Sequence, residues 1–199
     1  MKIFIGLAFC LIITPHLNAQ EDSQQKQIQK TNDMELPKGK QTAVGLYVTS
    51  KEAYKMWKAN PDKIKILDVR TLDEYINIGH AEMARNIPAF LQTYNWDADK
   101  KSFSYQMNPD FAEQAQKVFN QQDTILVTCR SGGRSALAIN FLASLGYKNL
   151  YNITDGFEGD AETNPESKDF GKRVLNGWKN AGVPWTYDLN RELISVPKN

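Results

Sequence analysis

The chain has 199 residues, with 24 Lys or Arg against 23 Asp or Glu and a formal net charge of +1. That length suits one domain with a sizeable core. The even charge balance, without a basic stripe, argues against nucleic acid or an anionic membrane as a partner.

Lys2 is followed by an apolar run over residues 3–13, which Thr14-Pro15-His16 breaks. Leu17 and Ala19 then sit at the spacing a signal peptidase reads, so residues 1–19 are expected to be a signal peptide cleaved after Ala19. The run is shorter than the roughly 20 apolar residues a membrane span needs. The mature protein is therefore expected to be exported, to a bacterial periplasm, with no membrane attachment after cleavage. Cys10 leaves with the signal, and Cys129 stays as a lone thiol with no disulfide partner in a compartment that oxidises thiols. His80 is the one histidine left, which removes Ser-His-Asp, Cys-His and multi-histidine metal sites from consideration.

Residues 20–40 are polar and glutamine-rich and read as a disordered tether. A short strand is expected over residues 45–48. Thr49-Ser50-Lys51-Glu52 is a capping box that opens a helix through Lys58, stopped by Asn60-Pro61. Residues 64–69 form the next strand, apolar enough at its end to be buried on both faces. Asn86-Ile87-Pro88 ends a further short strand. Asn108 as cap and Pro109 at the first position start a helix over 111–119. A strand over 124–128, a helix over 136–145 stopped by Gly146, and a strand over 150–153 complete the order. Strands alternating with helices imply a parallel sheet covered on both faces.

The stretch T-C-R-S-G-G-R-S, residues 128–135, lies between the strand 124–128 and the helix after it. In such folds ligands sit at the carboxyl ends of strands, where helix N-termini present free N–H groups. A loop curling around the Cys129 sulfur would turn successive amides on it as a nest. Gly132 and Gly133 allow backbone angles that a side chain would forbid, and Arg134 can bring a guanidinium over the mouth. Together these favour negative charge on the sulfur and a nucleophilic Cys129. An inert core cysteine needs none of them.

C-R-S-G-G-R-S resembles the active-site loop of rhodanese-like sulfurtransferases. L-D-V-R-T-L-D-E-Y-I-N-I-G-H, residues 67–80, resembles the same family's first signature and is followed by N-I-P at 86–88. Y-N-I-T-D-G-F-E-G-D and then N-G-W-K-N-A-G-V-P-W resemble its terminal pattern. The likeness covers most of residues 43–185 and sets a rhodanese-like domain at 41–190, with a C-terminal tail at 191–199. It implies a three-layer α/β fold, with a central, mostly parallel five-stranded sheet and helices on both faces, and neither cofactor nor metal.

The resemblance also implies a reaction. Cys129 would take a sulfane sulfur from a small donor such as thiosulfate, become a persulfide, and pass the sulfur to a thiol or cyanide. Arg134 and the amides of residues 130–133 would hold the anionic donor or the persulfide, with Arg130, Ser131 and Ser135 completing the substrate site. Asp68 and Arg70 would support it, Asp68 tying neighbouring loops to the sheet end and Arg70 pairing with Glu74. His80 would be a hydrogen-bonded structural residue, and Trp96, Trp178 and Trp185 would belong to the core. Two segments depart from the family pattern. Residues 89–107 exceed a minimal connection, and residues 160–176 interrupt the terminal motif before Trp178; both could cover the cleft. Phosphatases and arsenate reductases resemble a loop with five residues between Cys and Arg, and here there are four. A non-enzymatic persulfide carrier, redox sensor or docking module would use the same loop.

Overall fold

In the computed structural model, which describes residues 36–197, five strands form one sheet: β1 (Tyr47–Val48), β2 (Ile64–Asp68), β3 (Arg85–Asn86), β6 (Thr124–Thr128) and β7 (Leu150–Ile153). Their order is β1-β7-β6-β2-β3, and all four pairings are parallel. The expected signal peptide and most of the expected tether lie outside the described residues. Parallel neighbours need crossovers. The helices α1 (Ser50–Ala59), α2 (Leu72–Ile78), α3 (Phe111–Val118) and α4 (Gly133–Ser144) lie within them.

Alternation along the strands sorts the core into two layers. Leu67, Ile125, Val127 and Cys129 pack against Phe111, Ala115, Ile139 and Leu142 of α3 and α4. Ile66 and Leu126 face the other way, onto Ala53 of α1, Phe157 and Trp178. Burial on both faces is why the 125–127 run carries no polar alternation. This is the rhodanese-like three-layer arrangement that the resemblance implies.

Capping boxes open α1 and α2. Thr49 accepts from the Glu52 amide while Glu52 accepts from the Thr49 amide, and Thr71 and Glu74 repeat the exchange. The start of α3 differs from expectation. Asn108 forms a turn ahead of the helix, its Oδ1 accepting from the Asp110 amide at 3.0 Å and its Nδ2 donating to the Pro88 carbonyl at 2.7 Å. With that side chain committed to the preceding loop, Asp110 becomes the residue before the first turn. The fourth helix begins at Gly133, three residues earlier than 136, because Gly132 takes a left-handed backbone (φ 94°) and turns the chain at once.

Residues 89–107 are mostly an antiparallel hairpin, β4 (Phe90–Asp97) and β5 (Ser102–Met107), forming a sheet of its own. Trp96 lies on it, 59% exposed and edge-to-face with Phe103, and is not a core residue as the sequence predicts. Trp178 is fully buried and Trp185 stands against Phe157. Residues 38–40 form a short 3-10 turn whose Lys40 carbonyl accepts from Asn152 Nδ2, so this end of the expected tether is packed on the domain. In the segment taken as a tail, Ile194 is nearly buried and the Ser195 amide donates to the Asn86 carbonyl at 2.9 Å, on the outer edge of β3.

Asp68 and Arg70 are both fully buried and paired with each other. Arg70 Nε and Nη2 donate to the Asp68 carboxylate, Nη2 at 2.6 Å, and Nη2 also donates to the Gly79 carbonyl. The guanidinium lies 4.1 Å from the centre of the Phe157 ring. This corrects the expected Arg70–Glu74 pair: the nearer buried carboxylate takes Arg70 back along the chain. The cluster joins the end of β2 to the end of α2, and Asn86 Nδ2 adds β3 by donating to the Asp68 and Arg70 carbonyls. Replacing Asp68 with Ala would leave a buried guanidinium without its counter-charge. Asp68→Ala is expected to cost about 3–5 kcal/mol in urea denaturation, and a cost under about 1 kcal/mol would contradict this reading of the pair.

Candidate active site

Cys129 follows the last residue of β6 at the carboxyl end of the sheet and is 1% exposed. Its Sγ accepts from the Gly132 amide at 3.2 Å and lies 3.4 Å from Ser135 Oγ. The left-handed backbone of Gly132 aims that amide at the sulfur. A Cβ there would run into the Thr154 carbonyl, so glycine is required. Gly133 is already in the first turn of α4, and a Cβ on it would meet no clash.

Ser135 has one hydroxyl proton and two acceptors within reach: Cys129 Sγ, and Asn152 Oδ1 at 2.7 Å. Asn152 on β7 is fully buried, and its two amide hydrogens go to the Gly132 and Lys40 carbonyls. It locks the loop from below. Its one signal in the sequence is a polar residue inside an otherwise apolar strand. On the other side of the loop, the Phe157 amide donates to the Cys129 carbonyl at 2.7 Å, and the Glu158 and Gly159 amides donate to the Arg130 carbonyl.

Arg134 is expected over the mouth with its fork free for an anion. The structure places it in the first turn of α4 with both terminal nitrogens on Glu74, at 2.7 and 2.5 Å. The Tyr105 ring of the hairpin lies 5.3 Å from its guanidinium carbon. Burial of Arg134 works against its charge, but the hydrogen bonds and charge of Glu74 outweigh it and hold its pKa above the ordinary value, and the Cys129 sulfur acts in the same direction. Burial would likewise raise the Glu74 carboxyl, but the Arg134 guanidinium keeps it below the usual carboxylate range. Arg134 is thus a fixed positive charge beside the sulfur, with two of its five N–H donors on Glu74.

Of the other expected site residues, Arg130 is exposed and Ser131 half-buried, both on the rim of the loop. Asp68 and Arg70 stand behind it, Asp68 in register with Thr128 on β6. His80 stacks on Tyr75 and approaches the Tyr75 carbonyl with Nδ1, away from the sulfur loop. The rim also holds Glu158, a half-buried residue whose place there is not signalled by the sequence.

A model of the family described as "Rhodanese-like domain" matches residues 49–163. An uncharacterized protein of Rickettsia rickettsii is 35% identical over 143 residues, covering 70% of this chain and 96% of its own length. Thiosulfate sulfurtransferase 16, a chloroplastic protein of Arabidopsis thaliana, is 35% identical over 104 residues, covering 52% of this chain and 79% of its own. The crystal structure of Rv0390 from M. tuberculosis is similar in fold, with a TM-score of 0.54 at 24% identity over 71% of this chain and 96% of that one.

Glu74→Gln keeps the shape of the Arg134 partner and removes its charge. Near neutral pH the variant is expected to be less stable by about 1–3 kcal/mol. The folded Glu74 carboxyl titrates below its unfolded value, which is about 4.3, so its contribution is complete above that value and fades as pH falls through the lower folded one. Urea denaturation of the two proteins at descending pH should therefore converge in acid. A gap of constant size down to strongly acidic pH would count against the ion pair as its source.

Proposed function

The chain belongs to the rhodanese-like domain family, and from that premise we propose that it is a sulfurtransferase working through a persulfide on Cys129. The observation that carries this is the setting of the thiol. One sulfur lies at the carboxyl end of β6, with the Gly132 amide at 3.2 Å and the Ser135 hydroxyl at 3.4 Å. The amide is fixed before any charge arrives and the hydroxyl need only turn its proton from Asn152 to the sulfur, so an anionic sulfur is stabilised without moving the backbone of the loop.

In the first half-reaction the Cys129 thiolate attacks the outer sulfur of thiosulfate. A Cys–S bond forms, the S–S bond of the donor breaks, and sulfite leaves with the electron pair. In the second, a cyanide ion or a thiolate attacks the outer sulfur of the persulfide, and Cys129 recovers its electron pair as a thiolate. Gly132 and Ser135 hold whichever sulfur carries the negative charge. Arg130 and Ser131 receive the donor at the rim, ahead of the helix that starts at Gly133. Arg134 contributes its charge from within the Glu74 pair. Burial of the thiol under that pair also favours a second reading, a carrier that shields a persulfide until a partner opens the mouth.

Export belongs to the same proposal, and it rests on residues 1–19 alone. Protein from the native host should begin at Gln20, as N-terminal sequencing would establish; an intact Met1 would overturn it. For the chemistry, thiosulfate should add the mass of one sulfur atom to the protein, and cyanide should remove it as thiocyanate. Cys129→Ser should abolish both the adduct and the thiocyanate. An adduct that survives in the serine variant would refute the assignment. Loading without appreciable thiocyanate release would favour the carrier.

A further inference from the structure

The rim of the site carries two carboxylates, and they are differently engaged. Glu74 is committed to Arg134. Among the described residues, the Glu158 carboxylate has no hydrogen bond or ion pair. Its backbone, however, is fixed against the sulfur loop. The Glu158 amide donates to the Arg130 carbonyl at 3.0 Å, and the residue before it donates to the carbonyl of Cys129 itself.

The charges that act on this carboxylate are Arg70, Glu74, Arg130 and Arg173. Arg70 is held by Asp68, Glu74 by Arg134, and Arg173 Nη1 donates to the Gly159 carbonyl. Arg130 is exposed on the rim. Burial, followed by the repulsion of Glu74, raises the proton affinity of Glu158 above that of an ordinary carboxylate, although the three arginines pull it down. A half-buried carboxylate with no partner among the described residues, on a segment whose backbone is bonded to the Cys129 and Arg130 carbonyls and within the field of Glu74 and Arg130, is placed to exchange a proton with what reaches the loop.

Resting on the sulfur-transfer reading above, we propose that Glu158 is the general base of the acceptor half-reaction and that the acceptor is a protonated thiol. A free thiol titrates at about 8.5, so at neutral pH it arrives mostly with its proton. The Glu158 carboxylate takes that proton. The sulfur lone pair of the acceptor then bonds to the outer sulfur of the Cys129 persulfide, and the Cys129 S–S bond breaks. Its electron pair returns to Cys129, giving a thiolate and the acceptor persulfide. Glu158 releases the proton to water as the product leaves. A cyanide ion brings its lone pair without a proton, so the same step does not need Glu158.

The test compares two acceptors on one loaded protein. The full chain is loaded on Cys129 with thiosulfate, and sulfur transfer in a single turnover is followed to 2-mercaptoethanol and, in mildly alkaline buffer, to cyanide. Glu158→Gln is expected to slow transfer to the thiol by roughly a hundredfold, the lower range of a lost general base, and to leave transfer to cyanide within about threefold, too small a change for a catalytic base. The thiol rate of the wild type should also fall in acid as Glu158 takes up a proton, and the Gln variant should lack that limb. Equal losses with both acceptors would assign Glu158 a structural role and overturn the proposal, as would an unchanged thiol rate. In both of those cases Cys129 still loads and transfers, so the sulfurtransferase reading survives. Failure of wild-type Cys129 to load would remove both.

Discussion

The left-handed turn at Gly132 is the constraint from which the site is built. It ends the excursion from β6 three residues after Cys129 and points its own amide at the sulfur. It also starts α4 at Gly133, which puts Arg134 and Ser135 in the first helical turn. Ser135 then lies under the sulfur, and Arg134 reaches across to α2. The turn is in turn bounded by β7, since the Thr154 carbonyl occupies the space a Cβ would need and Asn152 holds the Gly132 carbonyl. The neighbouring position of β6 and β7 in the sheet is therefore part of the chemistry, because it brings those groups to the loop.

The groups around the sulfur divide by how freely they can respond to charge. The Gly132 amide cannot move without moving the helix. The Ser135 hydroxyl can redirect its one proton between Asn152 and the sulfur. The Arg134 guanidinium contributes as a charge held in place, with one N–H of each terminal nitrogen on Glu74. A hydrogen bond to a charged acceptor contributes about 1.5–3 kcal/mol. The backbone amide and the hydroxyl are the donors directed at the sulfur, and the arginine biases the field in which they act.

Much of the frame was legible from residues alone. The runs 64–69, 124–128 and 150–153 announce strands because both of their faces are buried, and the Thr49–Glu52 box announces a helix because it satisfies amides locally. Cys129 and its glycines stand out because their spacing serves a strand-to-helix turn. The partner of Arg134 was not legible. Glu74 lies 60 positions away, while Arg70 stands four residues from Glu74 and offers the nearer pairing. The hairpin escaped because the residues alternating along β5, Phe103, Tyr105 and Met107, are left exposed, and an exposed aromatic row lacks the polar outer face by which a strand is usually read. Asn152 and Glu158 acquire roles only when β7 and the segment after it are folded onto the loop.

The covering of β3 has a consequence for the order in which the molecule can complete itself. That strand has two residues, and its outer side is met by the parallel bridge between Asn86 and Ile194. At the other end of the sheet, Tyr47 of β1 pairs with Asn152 of β7, across more than half of the chain. Neither margin can be finished by the first half of the chain alone. The β1 margin waits for β7, and the β3 margin waits for the turn at Arg191–Leu193 that brings Ile194 into place. Contacts so distant in sequence slow folding. Until they form, two open strand edges stand available to any other extended chain nearby.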